Sequence, residues 1–121
     1  MKTSELIGPA LDWAVAKCEG VQIGQPADRT FESEFALMHG EGDMNYSTDW
    51  AQGGPIIERE VIATYLRQTN TRGDQVWNAQ AGGWAFSSGL TLTGPTPLIA
   101  AMRCYVASKL GDEIDVPKEL L

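Results

Sequence analysis

The sequence predicts an α+β fold, a small antiparallel β-sheet packed with about three α-helices. Three observations carry this expectation. Apolar residues recur at helical spacing near both ends of the chain: Leu11, Ala14, Val15 and Cys18, then Leu98, Met102, Tyr105, Val106 and Leu110. A β-branched and aromatic run at 62–67 is answered by residues 76–80 across the turn residues 70–74, the pattern of a hairpin. The length of 121 residues suits one domain with a single modest core.

Each element follows from local chemistry. Pro9 fits a first helical turn and Gly20 a stop, which predicts a helix over 9–19. Residues 21–23 read as a brief strand. Residues 24–45 read as a loop, because Gly24, Pro26, Gly40 and Gly42 punctuate it, with Phe31, Phe35, Leu37 and Met38 pinning it to the core. Ser47 or Thr48 is expected to cap a short turn through Asp49 and Trp50, which Gly53 and Gly54 interrupt. Pro55 then starts a second helix, with Ile56 and Ile57 buried and Glu58, Arg59 and Glu60 outward. Gly82-Gly83 breaks the hairpin's second strand, and 84–86 continues the sheet. The last helix has an N-cap at Thr96, Pro97 in its first turn, Lys109 at its negative end and Gly111 as its stop. The acidic tail, 112–121, docks through Val116, Leu120 and Leu121.

Composition excludes several functions. The net charge is −7 and the nine Lys and Arg are scattered, so nothing resembles the basic stripe that grips phosphates of a nucleic acid. The start, Met1 to Glu5, lacks the apolar region of a signal peptide, and no stretch reaches the length of a membrane span. Cys18 and Cys104 fall within apolar helical patterns and read as core residues of a reducing compartment.

Catalytic motifs are scarce. His39 is the one histidine, and Ser87 and Ser88 lack the nucleophile-elbow pattern. His39, Glu41 and Asp43 are too few for a transition-metal site, and no phosphate-binding or dinucleotide glycine motif is present. No cofactor or metal is expected. Asp49 with Glu58 or Glu60 is the best carboxylate pair for acid–base work.

Binding has more support. Trp50 stands between capping residues and a glycine pair, where its indole can form a pocket wall. Trp77 and Trp84 flank the Gly82-Gly83 break and offer flat faces for stacking. The helix starts near Tyr46, Ser47, Thr48, Asp49 and Trp50, and near Gly94 and Thr96, present backbone N–H groups to an anion. Arg59 or Arg103 would neutralise it. Gly53, Gly54 and Gly94 permit close backbone approach.

Three blocks carry a family resemblance. They are Ala-Leu-Asp-Trp-Ala-Val-Ala-Lys at 10–17, the run from Tyr46 through Ser-Thr-Asp-Trp-Ala-Gln-Gly-Gly-Pro-Ile-Ile-Glu-Arg to Glu60, and Thr-Pro-Leu-Ile-Ala-Ala-Met-Arg-Cys-Tyr-Val-Ala-Ser-Lys-Leu-Gly at 96–111. In this order they resemble the NinX family of small bacteriophage proteins, with 61–93 the least family-like stretch. The layout alone also looks like the phage alpha-beta-alpha sandwich domain. The resemblance implies a phage origin and a host-cytoplasmic setting, and it carries over no catalytic residue.

The expected function is therefore non-enzymatic capture of a small nucleotide-like molecule, by analogy a host signalling nucleotide captured as an anti-defence measure. A homo-oligomer with a pocket at the subunit boundary would suit so short a chain. The alternative is a module that inhibits or redirects a host protein through an acidic face. The third is an enzyme using Asp49 or Glu58.

Overall fold

A computed structural model describes residues 1–20, 44–81 and 90–120. Its main elements are α1 (Gly8–Cys18), α2 (Trp50–Glu60), β1 (Ala63–Thr69), β2 (Gln75–Gln80), β3 (Thr91–Gly94) and α3 (Pro97–Leu110). Short 3-10 turns cover Thr3–Glu5 and Lys118–Leu120. The sheet has the order β1-β2-β3, antiparallel throughout, so the expected α+β class is what the chain adopts.

The hairpin forms where its turn chemistry predicts. Asn70 Oδ1 accepts the backbone N–H groups of Arg72 and Asp74, each at 2.9 Å, and Gly73 takes the left-handed φ of 88° that closes the turn. Leu66 pairs with Trp77 and Gln68 with Val76, so Arg67 bulges out of β1. The third strand, Thr91–Gly94, lies beyond the segment expected to extend the sheet. Residues 84–86, the brief strand at 21–23, most of the 24–45 loop, His39, Ser87, Ser88, Gly82-Gly83 and Leu121 lie outside the described residues.

Helix α3 is the centre of the molecule. It packs on all three strands, on α1, on α2 and on the Thr3–Glu5 turn. Leu98, Met102, Tyr105 and Val106 are buried as expected, but so are Ile99, Ala100, Ala101 and Cys104. A helix enclosed on most sides needs apolar residues on most sides. Leu110, expected on the buried face, is exposed, because it sits in the last turn where α3 leaves the core. Leu6, Leu11, Val15 and Ile56 complete the centre, and each such side chain contributes about 1.5–3 kcal/mol by leaving water. Leu120 and Val116 dock the tail as expected.

The start of α2 corrects the sequence reading. The helix begins at Trp50 and runs through Gly53, Gly54 and Pro55 without interruption. Its cap is Asp49, whose Oδ1 accepts the Ala51 N–H at 2.9 Å, whereas Ser47 and Thr48 belong to the preceding turn. Pro55 removes one backbone donor from the helix, and Gly54 before it has no Cβ to meet the proline ring.

Candidate functional site

The turn at 46–49 is held from beneath by Asp12. This carboxylate is buried on α1, and its Oδ1 accepts the Ser47 N–H at 2.9 Å. The contact fixes where α2 begins. The same turn closes locally, with the Thr48 and Asp49 N–H groups bonded to the Asn45 carbonyl at 3.1 and 2.7 Å. Gly53 brings α2 close to this turn, since a side chain there would fall on the Tyr46 carbonyl oxygen and 2.6 Å from Leu98 Cδ1. Gly94 does the same between β3 and α3, where an added Cβ would lie 2.8 Å from the Ala100 nitrogen.

These close approaches bring two helix starts together. Ser47, Thr48 and Trp50 from the α2 start and Thr96, Leu98 and Ile99 from the α3 start line one hollow of about 190 Å³. Thr96 Oγ1 caps α3 by accepting the Ile99 N–H at 3.1 Å. Among the described residues, the first-turn N–H groups of Trp50 and Leu98 meet no acceptor. Trp50 as a residue is 54% exposed at the edge of the hollow, unusual for so large an aromatic side chain. It lies beside Gly54, whose added Cβ would be 4.0 Å from Trp50 Cε3. Ser47 is 2% exposed, and its Oγ has no partner among the described residues.

The expected cations are elsewhere. Arg59 is nine residues along α2 from Trp50, about 13 Å at helical rise. It chelates Glu19 through Nη1 at 3.1 Å and Nη2 at 2.6 Å, and it bonds Glu60 through Nε at 2.9 Å. Tyr105 joins this group by donating to Glu19 at 2.5 Å, and Lys109 pairs with Glu60 at 3.2 Å. Arg103 bridges two backbone carbonyls, Leu6 at 2.7 Å through Nε and Thr93 at 2.8 Å through Nη1. Burial lowers its pKa, as expected for a half-buried cation that meets carbonyls. Of the predicted residues, the structure thus unites Ser47, Thr48, Trp50 and Thr96. Asp49, Gly53 and Gly54 support that corner and Tyr46 packs beneath it, partly buried, its hydroxyl pKa raised first by burial. Arg59 and Arg103 stand apart, and Trp84 lies outside the described residues.

Asp12 is the residue that sequence reasoning missed. Its signal was present: one acid inside the apolar run Ala10 to Ala16 must face a donor when that run is buried.

The chemistry offered is recognition. The Cys18 and Cys104 thiols are pushed up to about 11, first by burial, so both stay protonated near neutral pH. They form no disulfide. Among the described residues, no three His, Cys, Asp or Glu side chains gather as a metal site requires. A larger hollow of about 330 Å³ lies between Lys2, Thr3 and Ser4, Leu92 of β3, Ala107 of α3, and Asp112 and Glu113 after it. Among the described residues no aromatic side chain lines it, and Thr3 Oγ1 there is already bonded to the Gly111 carbonyl at 2.7 Å. No helix of the described residues is long and apolar enough to cross a membrane.

Comparison with known proteins bears out the family resemblance. The family model described as "Bacteriophage P22, NinX" matches residues 2–109. No curated protein matches the chain.

Proposed function

This chain belongs to the NinX family of phage proteins, and we propose that it binds a small nucleotide-like molecule in the host cytoplasm without chemically changing it. One observation carries this reading: two helix starts and the exposed face of Trp50 meet at a single hollow. Helix starts supply hydrogen-bond donors already fixed in direction, and an indole face accepts a planar ring. The hollow is smaller than pockets that enclose a drug-sized molecule, about 300–1,000 Å³. It therefore takes part of a ligand, and the remainder lies in solvent or against a second copy of the chain. In this reading, binding removes a host signalling nucleotide from its receptor.

Native mass spectrometry of protein purified from host cells tests the proposal. The expected result is a nucleotide-sized adduct whose release on denaturation gives its identity, and whose spectrum gives the oligomeric state. Trp50→Ala is expected to lose the adduct while keeping its circular dichroism spectrum. An adduct retained by Trp50→Ala would move the site elsewhere. Failure to bind any nucleotide added in solution would end the proposal.

A further inference from the structure

We infer that the hollow holds the uncharged base of a nucleoside, read by the buried Ser47 hydroxyl, with any phosphate left outside. This rests on the binding proposed above and specifies which part of the ligand enters. Of the described residues, Ser47, Thr48, Trp50, Thr96, Leu98 and Ile99 line it, and none of these carries a charge. A phosphate there would meet no cation from the described residues, since Arg59 is committed to Glu19 and Glu60, and Arg103 to Leu6 and Thr93. The start of α2 also already holds the Asp49 carboxylate, which bonds Ala51 and Gln52. The attraction of that helix start for an anion is thus already answered by a fixed negative charge. A net charge of −7 works in the same direction.

A base has what the hollow lacks. Its ring stacks on an indole, and its edge carries neutral acceptors and donors. The Leu98 N–H can donate to a ring nitrogen or carbonyl. Ser47 is the more telling group. A hydroxyl that is 2% exposed and unpartnered disfavours the fold unless something completes its hydrogen bond. Ser47 lines the hollow, but its Oγ is closed off from solvent there, so a ligand edge completes the bond once the Ser47 side chain turns toward the hollow. Functional residues often carry such a stability cost.

Isothermal titration calorimetry with adenosine, guanosine, cytidine and uridine, their 5′-monophosphates and inorganic phosphate decides the matter at 50 and 500 mM NaCl. The expected result is that one nucleoside binds within about threefold of its monophosphate, with little change across the salt range, and that phosphate alone does not bind. Ser47→Ala is expected to raise Tm while weakening that nucleoside about tenfold, a pairing that a purely structural serine would not give. Monophosphates that bind while every nucleoside fails, or affinity that collapses with salt, would overturn this inference and leave nucleotide binding standing. No binding by any of these probes would overturn both. A Ser47→Ala protein that binds like the parent would remove the hydroxyl from the site.

Discussion

At residue 53 the difference between a hydrogen and a methyl group decides the local structure. The added carbon of Gly53→Ala would strike the Tyr46 carbonyl oxygen and Leu98 Cδ1. Leu98 can rotate, but the carbonyl belongs to a turn held by the Asp12 contact to Ser47. Alanine favours a helix interior over glycine by about 1 kcal/mol, while overpacking costs about 1–3 kcal/mol. Backbone contact makes the second effect larger. Gly53→Ala is therefore expected to lower unfolding free energy by about 1–2 kcal/mol in urea titration. It should weaken ligand binding as well, because the α2 start moves with the turn. An unchanged urea midpoint would mean that the two segments can part at no cost.

At the scale of an element, α2 ends as informatively as it begins. The Val61 N–H bonds the Glu58 carbonyl at 3.3 Å, and the Ile62 N–H bonds the Ile57 carbonyl at 3.0 Å, the pair of bonds that defines a Schellman cap. That cap needs one left-handed residue, and here it is Val61 at φ 54°, ψ 55°. A β-branched residue pays about 1–2 kcal/mol for this conformation, and Val61 recovers little by packing because it is 60% exposed. Val61→Gly is expected to raise stability by about 1 kcal/mol, visible as a higher urea midpoint with an unchanged slope. A lower midpoint would assign Val61 a packing role. Nothing in the sequence marks this cap, since valine is a poor signal for a helix end. The contrast with α3 is instructive: Thr96, Pro97 and Gly111 were legible because each residue type is suited to the position it holds. The hairpin was legible for the same reason. Gly53 and Gly54 misled because glycine signals both a break and a close approach, and at Gly53 only the packed neighbours Tyr46 and Leu98 tell the two apart. Trp50 and Thr96 were legible as separate helix starts, but their convergence is a product of tertiary packing. Arg59 and Arg103 were chosen for charge, whereas their acceptors come from residues 40 and 97 positions away.

For the whole molecule, the opposite ends of α2 and α3 divide the work. Their starts meet at the hollow, and their final turns meet the end of α1 in a network of Glu19, Arg59, Glu60, Tyr105 and Lys109. Clamping the final turns restrains the angle between α2 and α3, and so the width of the hollow. The network also sets a pH dependence. The two hydrogen bonds from Arg59 hold the Glu19 carboxyl below its ordinary 4.5; burial opposes this, and the Tyr105 hydroxyl adds to it. The Glu60 carboxyl is lowered too, first by Arg59. A carboxyl depressed in the folded state contributes its stability above its unfolded pKa and loses it as pH falls through the folded pKa. Unfolding free energy is thus expected to be flat from pH 7 to about 5 and to decline below about 4.5. Arg59 is half in water, so solvent screening holds the Glu19 contribution to about 1 kcal/mol at neutral pH. Glu19→Gln should be less stable than the parent by that amount at pH 7, lose part of the acid slope, and converge with the parent near pH 3. The remaining slope belongs to Glu60 and the other carboxylates. An unaltered acid slope in Glu19→Gln would show that the network is not what acid dissolves. If the clamp holds the hollow, ligand affinity in Glu19→Gln should fall at pH 7, although Glu19 is not among the residues that line the site.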